Sequence, residues 1–313
     1  MKIVKPNFFL IGAAKSGTTA LSAMLGNHPQ VYISPIKEPN FFSKDIDISS
    51  FSAEYRKITF LAGDDYFRQK PLKKEHLSFI RQEHHYYALF EEAGDETAIG
   101  ECSTSYLYSQ VAAREIRNFN PEAKILVILR NPVNRAFSHY QMALKYGLTN
   151  LPLTEEVERD FKQQEKGWGI SRLYIELGMY GSQLERYYQC FSPHQVLVLF
   201  HEDLIENQED IFKKICLFLE VDPLKPELTG SYNEAVLPRF PWLNKVLTYS
   251  GLRKLMKENI PEKTRKRLSA AFFTRENLPK MSNDEKEFLL GFFKEDIQKT
   301  AMLTGRNLDH WLS

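Results

Sequence analysis

Hydrophobic residues fall into short unbroken runs separated by stretches of helical period. Phe8-Phe9-Leu10-Ile11 is a short apolar run that predicts a buried strand. A glycine- and hydroxyl-rich tract from Gly12 to Thr19 follows it. Leu21, Met24 and Leu25 then recur at helical spacing until Gly26-Asn27-His28-Pro29 stops the pattern. Val31-Tyr32-Ile33 predicts a second short strand opening into a loop from Ser34 to Phe42, and Ala98 to Cys102 a strand end. Lys124 to Leu129 (KILVIL) is the strongest buried strand. It runs through Arg130-Asn131-Pro132, with proline at a helix start, into a helix over Val133 to Tyr146. Ser171 to Cys190 reads as amphipathic, Gln195 to Phe200 (QVLVLF) as another buried strand, and Asn207 to Leu219 as a helix with Ile211, Ile215, Phe218 and Leu219 on one face. Ser43 to Gly94 is polar and helix-leaning, with no clear motif.

Strands alternating with helices imply βαβ units around a mainly parallel sheet, and no internal repeat, low-complexity tract or linker divides residues 1–313, so one α/β domain is expected. Composition narrows the function classes. With 41 Lys plus Arg against 40 Asp plus Glu the net charge is +1, and the chain is 43% hydrophobic and 26% charged. That balance excludes a disordered tail, a histone-like arm and a general nucleic-acid binder. The charge is not uniform: residues 251–280 carry 9 basic and 3 acidic groups, residues 151–165 carry 5 acidic and 2 basic. Cys102, Cys190 and Cys216 are sparse and in no metal or disulfide spacing, as expected of reduced, buried thiols in a cytoplasmic protein. The start, Met1-Lys2-Ile3-Val4-Lys5-Pro6, lacks the pattern of a signal peptide, and no window approaches the roughly 18 apolar residues of a membrane span.

Between the first strand and the first helix, Gly12-x4-Gly17-Thr18-Thr19 has the glycine spacing of a P-loop, whose amides and following helix N-terminus cradle phosphate. A nucleoside-triphosphate loop places lysine directly after the second glycine. Here Thr18 stands there, and the lysine lies three residues earlier, at Lys15. A lysine on the loop itself meets a shorter anion near the 5′ end of a nucleotide and does not reach a γ-phosphate. No strand ends in a Walker-B aspartate, and the dinucleotide fingerprint fails because Gly12-Ala13-Ala14 lacks its second glycine.

The run Phe9-Leu10-Ile11-Gly12-Ala13-Ala14-Lys15-Ser16-Gly17-Thr18-Thr19 resembles the 5′-phosphosulfate-binding loop of sulfotransferases that use 3′-phosphoadenosine-5′-phosphosulfate (PAPS), closest to the heparan sulfate N- and O-sulfotransferase branch and its bacterial relatives. Lys124 to Tyr140 (KILVILRNPVNRAFSHY) is similar to that family's 3′-phosphate segment. His201-Glu202-Asp203-Leu204 and the stretch Pro279 to Trp311 resemble two further family segments. The resemblance implies a P-loop-kinase-like three-layer fold, a central mainly parallel sheet flanked by helices. It is weakest over 43–94 and 145–170, which with 240–275 are the expected variable acceptor or lid segments.

The same resemblance implies roles. Lys15 contacts the sulfuryl donor and the leaving oxygen, where charge builds as the S–O bond breaks. Ser16, Gly17, Thr18 and Thr19 hold the 5′-phosphate, and Arg130 and Ser138 the 3′-phosphate. Lys37-Glu38-Pro39-Asn40-Phe41-Phe42 is similar to the segment that carries the family's catalytic glutamate, which maps onto Glu38 as general base. Glu101, Ser103 and Tyr106 match a segment lining the acceptor cleft. Cys102 departs from the lysine often found there, which puts a polyanionic sugar acceptor in doubt. Tyr180 fits a recurrent Gly-x-Tyr element with core packing as the competing reading, and Arg275 is the best remaining 3′-phosphate contact. PAPS is the expected donor and 3′-phosphoadenosine-5′-phosphate (PAP) the product, with no metal, since the eight histidines show no ligand spacing; His84-His85 reads as a helix face and His139 as pointing away from Ser138. The acceptor is a small molecule or carbohydrate, and the acidic 151–165 segment suits a cationic one. Nucleic acid is not an expected partner, and no integral membrane segment is expected. Residues 240–260 fit a lid, an oligomer contact or a membrane-surface helix. A P-loop nucleoside or sugar kinase and a non-catalytic nucleotide-binding protein stay open as alternatives.

Overall fold

The apolar runs lie side by side in a computed structural model of the protein, which describes residues 4–225, 237–238, 264, 273–274 and 278–313. Its strands begin with β1 (Phe8–Leu10), β2 (Val31–Ile33), β3 (Ile36–Glu38) and β4 (Glu75–Leu77). They continue with β5 (Ala98–Cys102), β6 (Lys124–Leu129) and β7 (Val196–Phe200). Five of them form one sheet in the order β2-β5-β1-β6-β7, with every neighbouring pair parallel. From β1 the chain builds β2 and β5 on one side, then crosses to β6 on the other. The carboxyl end of β1 is therefore the switch point at which open α/β sheets leave a crevice for ligands.

Both faces of this sheet are covered, as unbroken apolar strands require. Phe9, Ile11, Ile125, Val127 and Leu129 face one layer, with Val133 and Ala136 of helix Pro132–Lys145, Leu184 and Tyr187 of Tyr180–Cys190, and Phe293 and Ile297 of Asn283–Thr304. Phe8, Leu10, Leu126 and Ile128 face the other, with Leu21 and Leu25 of Thr18–Gly26 and Phe212, Ile215 and Leu219 of Gln208–Leu219. Each such fully buried side chain contributes about 1.5–3 kcal/mol. Ser282 and Glu285 cap helix Asn283–Thr304 reciprocally, and Gly305, at φ +65°, ends it.

Three expectations need correction. Residues 43–94 hold the short helices Ala53–Ile58, Asp64–Phe67 and Glu83–Ala88 and also β4, which pairs parallel with β3 in a small separate sheet. The Ser34–Phe42 loop accordingly contains a strand, because Ile36 and Glu38 find partners at Glu75 and Leu77. The amphipathic stretch from Ser171 is α-helical only from Tyr180, after a single 3-10 turn at Glu176–Gly178, since Asp160 takes the amides of Arg172 and Tyr174 and holds the start of the segment in irregular form. Cys102, Cys190 and Cys216 are free, the first and last buried and Cys190 partly exposed. Among the described residues no helix is long and apolar enough to cross a membrane.

Candidate active site

The tract after β1 is tied to β6 on both sides of Gly12: Ala13 N–H donates to the Ile128 carbonyl (2.7 Å) and Ile128 N–H to the Gly12 carbonyl (2.8 Å). Gly17, at φ +100°, is the N-cap of helix Thr18–Gly26, and a Cβ there would stand 3.2 Å from the His201 ring. Glycine thus lets the loop turn tightly into the helix, whose first amides have no acceptor within the helix and face outward. The Ser16 side chain is wholly buried within the loop, its hydroxyl turned toward that of Tyr180. Lys15 carries its ammonium to 3.8 Å from Met142 Sδ, while its carbonyl accepts from Arg130 Nη1 at 3.2 Å. Burial first, then the nearby charges of Lys145, Arg130, Arg135 and Lys37, push the Lys15 pKa down to about 8. Such crowding of cations awaits an anion.

Arg130 stands where β6 ends. Asn131 then caps the next helix by accepting from the Val133 and Asn134 amides, and Pro132 occupies its first turn. Ser138, Gln141, Met142 and Lys145 recur at helical spacing and line the same cleft as Lys15. His139 lines it too, contrary to the sequence expectation. Its ring packs 4.9 Å from that of Tyr174, and burial holds it well below the usual imidazole range, hence neutral. Arg135 is fully buried beneath this helix and donates to the Tyr174 carbonyl.

Glu38 ends β3. Its carboxylate accepts from Lys37 Nζ at 2.7 Å and from the Thr104 hydroxyl at 2.9 Å. Burial alone would raise its pKa, but the charges of Lys37 and His76 and these two hydrogen bonds outweigh it, so Glu38 is held ionised below the usual range. The turn after it is fixed by its backbone. Asn40, at φ +51°, donates through Nδ2 to the carbonyls of Glu38 and Ser78. The amides of Asn40 and Phe41 donate to Ser103 Oγ (3.0 Å) and the Tyr106 hydroxyl (2.9 Å). Both hydroxyls in turn donate to Glu101, as does Tyr86. Glu101, Ser103 and Tyr106 are therefore a buried hub under the Glu38 turn, and they do not line the cleft as the sequence implied; Thr104, between them, does. Burial drives the Glu101 pKa up to about 7 against its three hydrogen bonds.

These elements enclose one cleft of about 610 Å³ at the switch point. It brings together Lys15, Gly17, Thr18, Thr19, Glu38, Arg130 and Ser138 from the expected set, with Ser16 beneath its floor. Tyr180 is buried, its ring 6.3 Å from that of Trp311 and its hydroxyl directed at Ser16 and the Arg130 backbone. No residue of 151–165 lines the cleft: Glu156 and Asp160 are buried, and Asp160 serves the amides of 172 and 174. Arg275 and the 240–260 segment lie outside the described residues. Sequence reasoning missed Thr104, Tyr55 and Trp168 as cleft residues; Lys37, inside the quoted KEPNFF run, was the one with a local signal. Away from the cleft, Asp64, His84 and His85 bring potential ligand atoms within 4.8 Å of one another, a grouping that spacing along the chain did not reveal.

A model of the sulfotransferase family matches residues 6–226. Carbohydrate sulfotransferase 15 of Rattus norvegicus is 26% identical over 282 residues, covering 76% of this chain and 47% of the relative. Bifunctional heparan sulfate N-deacetylase/N-sulfotransferase 1 of Mus musculus is 26% identical over 322 residues, covering 98% of this chain and 31% of the relative. The chain thus spans less than half of the length of these relatives. A sulfotransferase structure from Alicyclobacillus acidocaldarius superposes with a TM-score of 0.69 at 27% identity, over 99% of this chain and 100% of that one.

Proposed function

The chain belongs to the sulfotransferase family, and from that premise we propose that it transfers a sulfuryl group from PAPS to a hydroxyl or amine of a small-molecule or carbohydrate acceptor. The observation that carries this reading is the convergence of Lys15, Arg130 and Ser138 with the ionised Glu38 in one cleft at the end of β1. The residues present fit a nucleotide bearing 5′ and 3′ phosphates. The first amides of helix Thr18–Gly26 have no side-chain cap, and Lys15 and Arg130 lie close enough that each guanidinium or ammonium charge disfavours the other.

PAPS, when bound, supplies a sulfuryl group on a phosphate leaving group. The new bond joins acceptor oxygen or nitrogen to sulfur, the S–O bond to the 5′-phosphate breaks, and the acceptor's proton passes to Glu38. Lys37 and Thr104 hold that carboxylate charged and aimed before the acceptor arrives. Lys15 places positive charge where the departing phosphate gains its negative charge. Positioning and electrostatics carry the reaction without a covalent enzyme intermediate. Thr18 in the position of a kinase lysine, together with the family match, speaks against phosphoryl transfer. A cytoplasmic setting fits the three free thiols.

The test is direct. Calorimetric titration of the full chain should show PAP binding at least about 10-fold tighter than ATP, and labelled PAPS should lose its sulfuryl group to an acceptor mixture. Tighter binding of ATP, or no binding of PAP, would overturn the assignment.

A further inference from the structure

The half of the cleft beyond Glu38 is built differently from the donor half. Tyr55, Phe60, Leu77 and Trp168 line it, from two excursions that are far apart in sequence. The wall is assembled before any ligand arrives. The Trp168 indole N–H donates to the Tyr55 hydroxyl at 2.6 Å, fixing the two rings relative to each other. Gly169 brings this loop against helix Ala53–Ile58: its carbonyl accepts from Ser52 N–H at 2.8 Å, and at φ +79° a Cβ would stand 2.5 Å from Phe51 and 2.9 Å from Tyr55. Behind the wall, Phe51 packs edge-on against both Tyr55 and Phe79, with ring centroids 4.9 and 5.0 Å apart. The Tyr55 hydroxyl lies within the electrostatic reach of Glu38, which lines the same cleft.

Charge on this side is mixed. Glu54 and Glu75 contribute carboxylates beside Lys57 and Arg172, and Lys37 already neutralises Glu38. A chain of carboxylates or sulfates entering here would meet Glu54 and Glu75 as like charges and Lys57 and Arg172 as partners, with no net electrostatic gain from this wall. An ammonium group approaching Glu38 would compete with Lys37 and Thr104, which already occupy its two oxygens. An uncharged molecule with a flat apolar face depends on neither balance and buries that face on Tyr55 and Trp168.

Resting on the sulfotransferase reading, we propose that the acceptor is a neutral alcohol with a flat apolar face, an aryl or glycosyl ring, seated on the Tyr55–Trp168 wall with its hydroxyl at Glu38. The ring's other substituents face the open side of the cleft. The wall supplies affinity and orientation, and Glu38 takes the proton.

The full chain is assayed with labelled PAPS and four acceptors at equal concentration: 2-naphthol, 4-nitrophenyl β-glucoside, methyl β-glucoside and an unsulfated, uronate-containing hexasaccharide. PAP affinity is measured on the same protein. The naphthol and methyl glucoside arms separate an aryl face from a glycosyl one. At least one neutral ring alcohol should be sulfated with kcat/KM at least about 10-fold above the hexasaccharide. Trp168→Ala should raise KM for that acceptor about 3- to 10-fold without changing PAP affinity, and Trp168→Phe should restore most of it. Phe60→Ala should act in the same direction and serves if the Trp168 variant fails to fold. Preference for the hexasaccharide, no transfer to any neutral alcohol by a chain that binds PAP, or a KM indifferent to both variants would each overturn the proposal. Loss of PAP binding in the unaltered chain would instead defeat the sulfotransferase reading beneath it.

Discussion

The Lys15 ammonium titrates at about pH 8 because burial and four neighbouring cations disfavour its charge. A bisphosphorylated nucleotide beside it reverses that environment, so binding must draw the proton back onto Lys15. Nucleotide affinity therefore becomes pH-dependent above the free-protein pKa. With a bound-state pKa restored to the ordinary lysine range, the dissociation constant rises in proportion to 1 + 10^(pH − 8). It is nearly flat below pH 7.5 and about 30-fold weaker at pH 9.5 than at pH 7. The ligand does not confuse the measurement, since a phosphate monoester's second pKa is about 6. The assay is calorimetric titration of PAP between pH 7 and 9.5 at constant ionic strength, because phosphate contacts are salt-sensitive. Lys15→Arg should bind with little pH dependence, as guanidinium keeps its charge throughout. Lys15→Met should be weak at every pH. A wild-type constant that stays flat to pH 9.5 refutes the reasoning, and a slope that survives in Lys15→Met assigns the titration to another group.

Glu38→Gln should cut transfer by about 10²–10⁴-fold while PAP affinity, measured by the same titration, changes less than about 2-fold. Gly17→Ala should lower thermal stability by more than about 1 kcal/mol, read by denaturant melts, and weaken PAP binding, because φ +100° and the His201 ring at 3.2 Å both resist a Cβ. Glu101, whose pKa burial raises to about 7 in the fold, binds its proton more tightly folded than unfolded. Its contribution is therefore full below the unfolded carboxyl pKa and is lost as pH rises to about 7, at up to about 1.4 kcal/mol per pH unit. Glu101→Gln should remove that slope from a series of urea melts between pH 4.5 and 7.5, and an unchanged slope would place the titration elsewhere.

What could be read along the chain followed how locally each feature is determined. The strands β1, β6 and β7 and the loop between Gly12 and Thr19 were legible, because continuous apolar runs and a glycine with positive φ leave their mark within a few residues. The strand Glu75–Leu77 was not, since a charged residue, a histidine and a leucine become a strand only by pairing with Ile36–Glu38. Lys15, Arg130 and Ser138, proposed to hold the donor, follow elements whose direction the pattern already determines. Glu101 was misplaced because nothing in Gly-Glu-Cys reveals which face of β5 meets Tyr86 and Tyr106. His139 was misjudged for a similar reason: the helix phase shared by Ser138 and Met142 does not show that Tyr174 packs on the neighbouring position. Trp168 and Tyr55 meet through a hydrogen bond between residues 113 positions apart, beyond any periodicity.

The segment that carries Glu38 leaves the sheet after Ile33 and returns at Ala98, onto the strand hydrogen-bonded directly beside β2. It is an outgrowth between adjacent strands, while Lys15 and Arg130 stand on the central pair β1 and β6. The proposed base and three of the four wall positions, Tyr55, Phe60 and Leu77, thus travel in one continuous piece of chain, separate from the residues proposed to hold the donor. Transplanting residues 34–97 between related folds would carry the base together with much of its acceptor surface. A change of acceptor could then arise in a single recombination event that leaves nucleotide binding as it was.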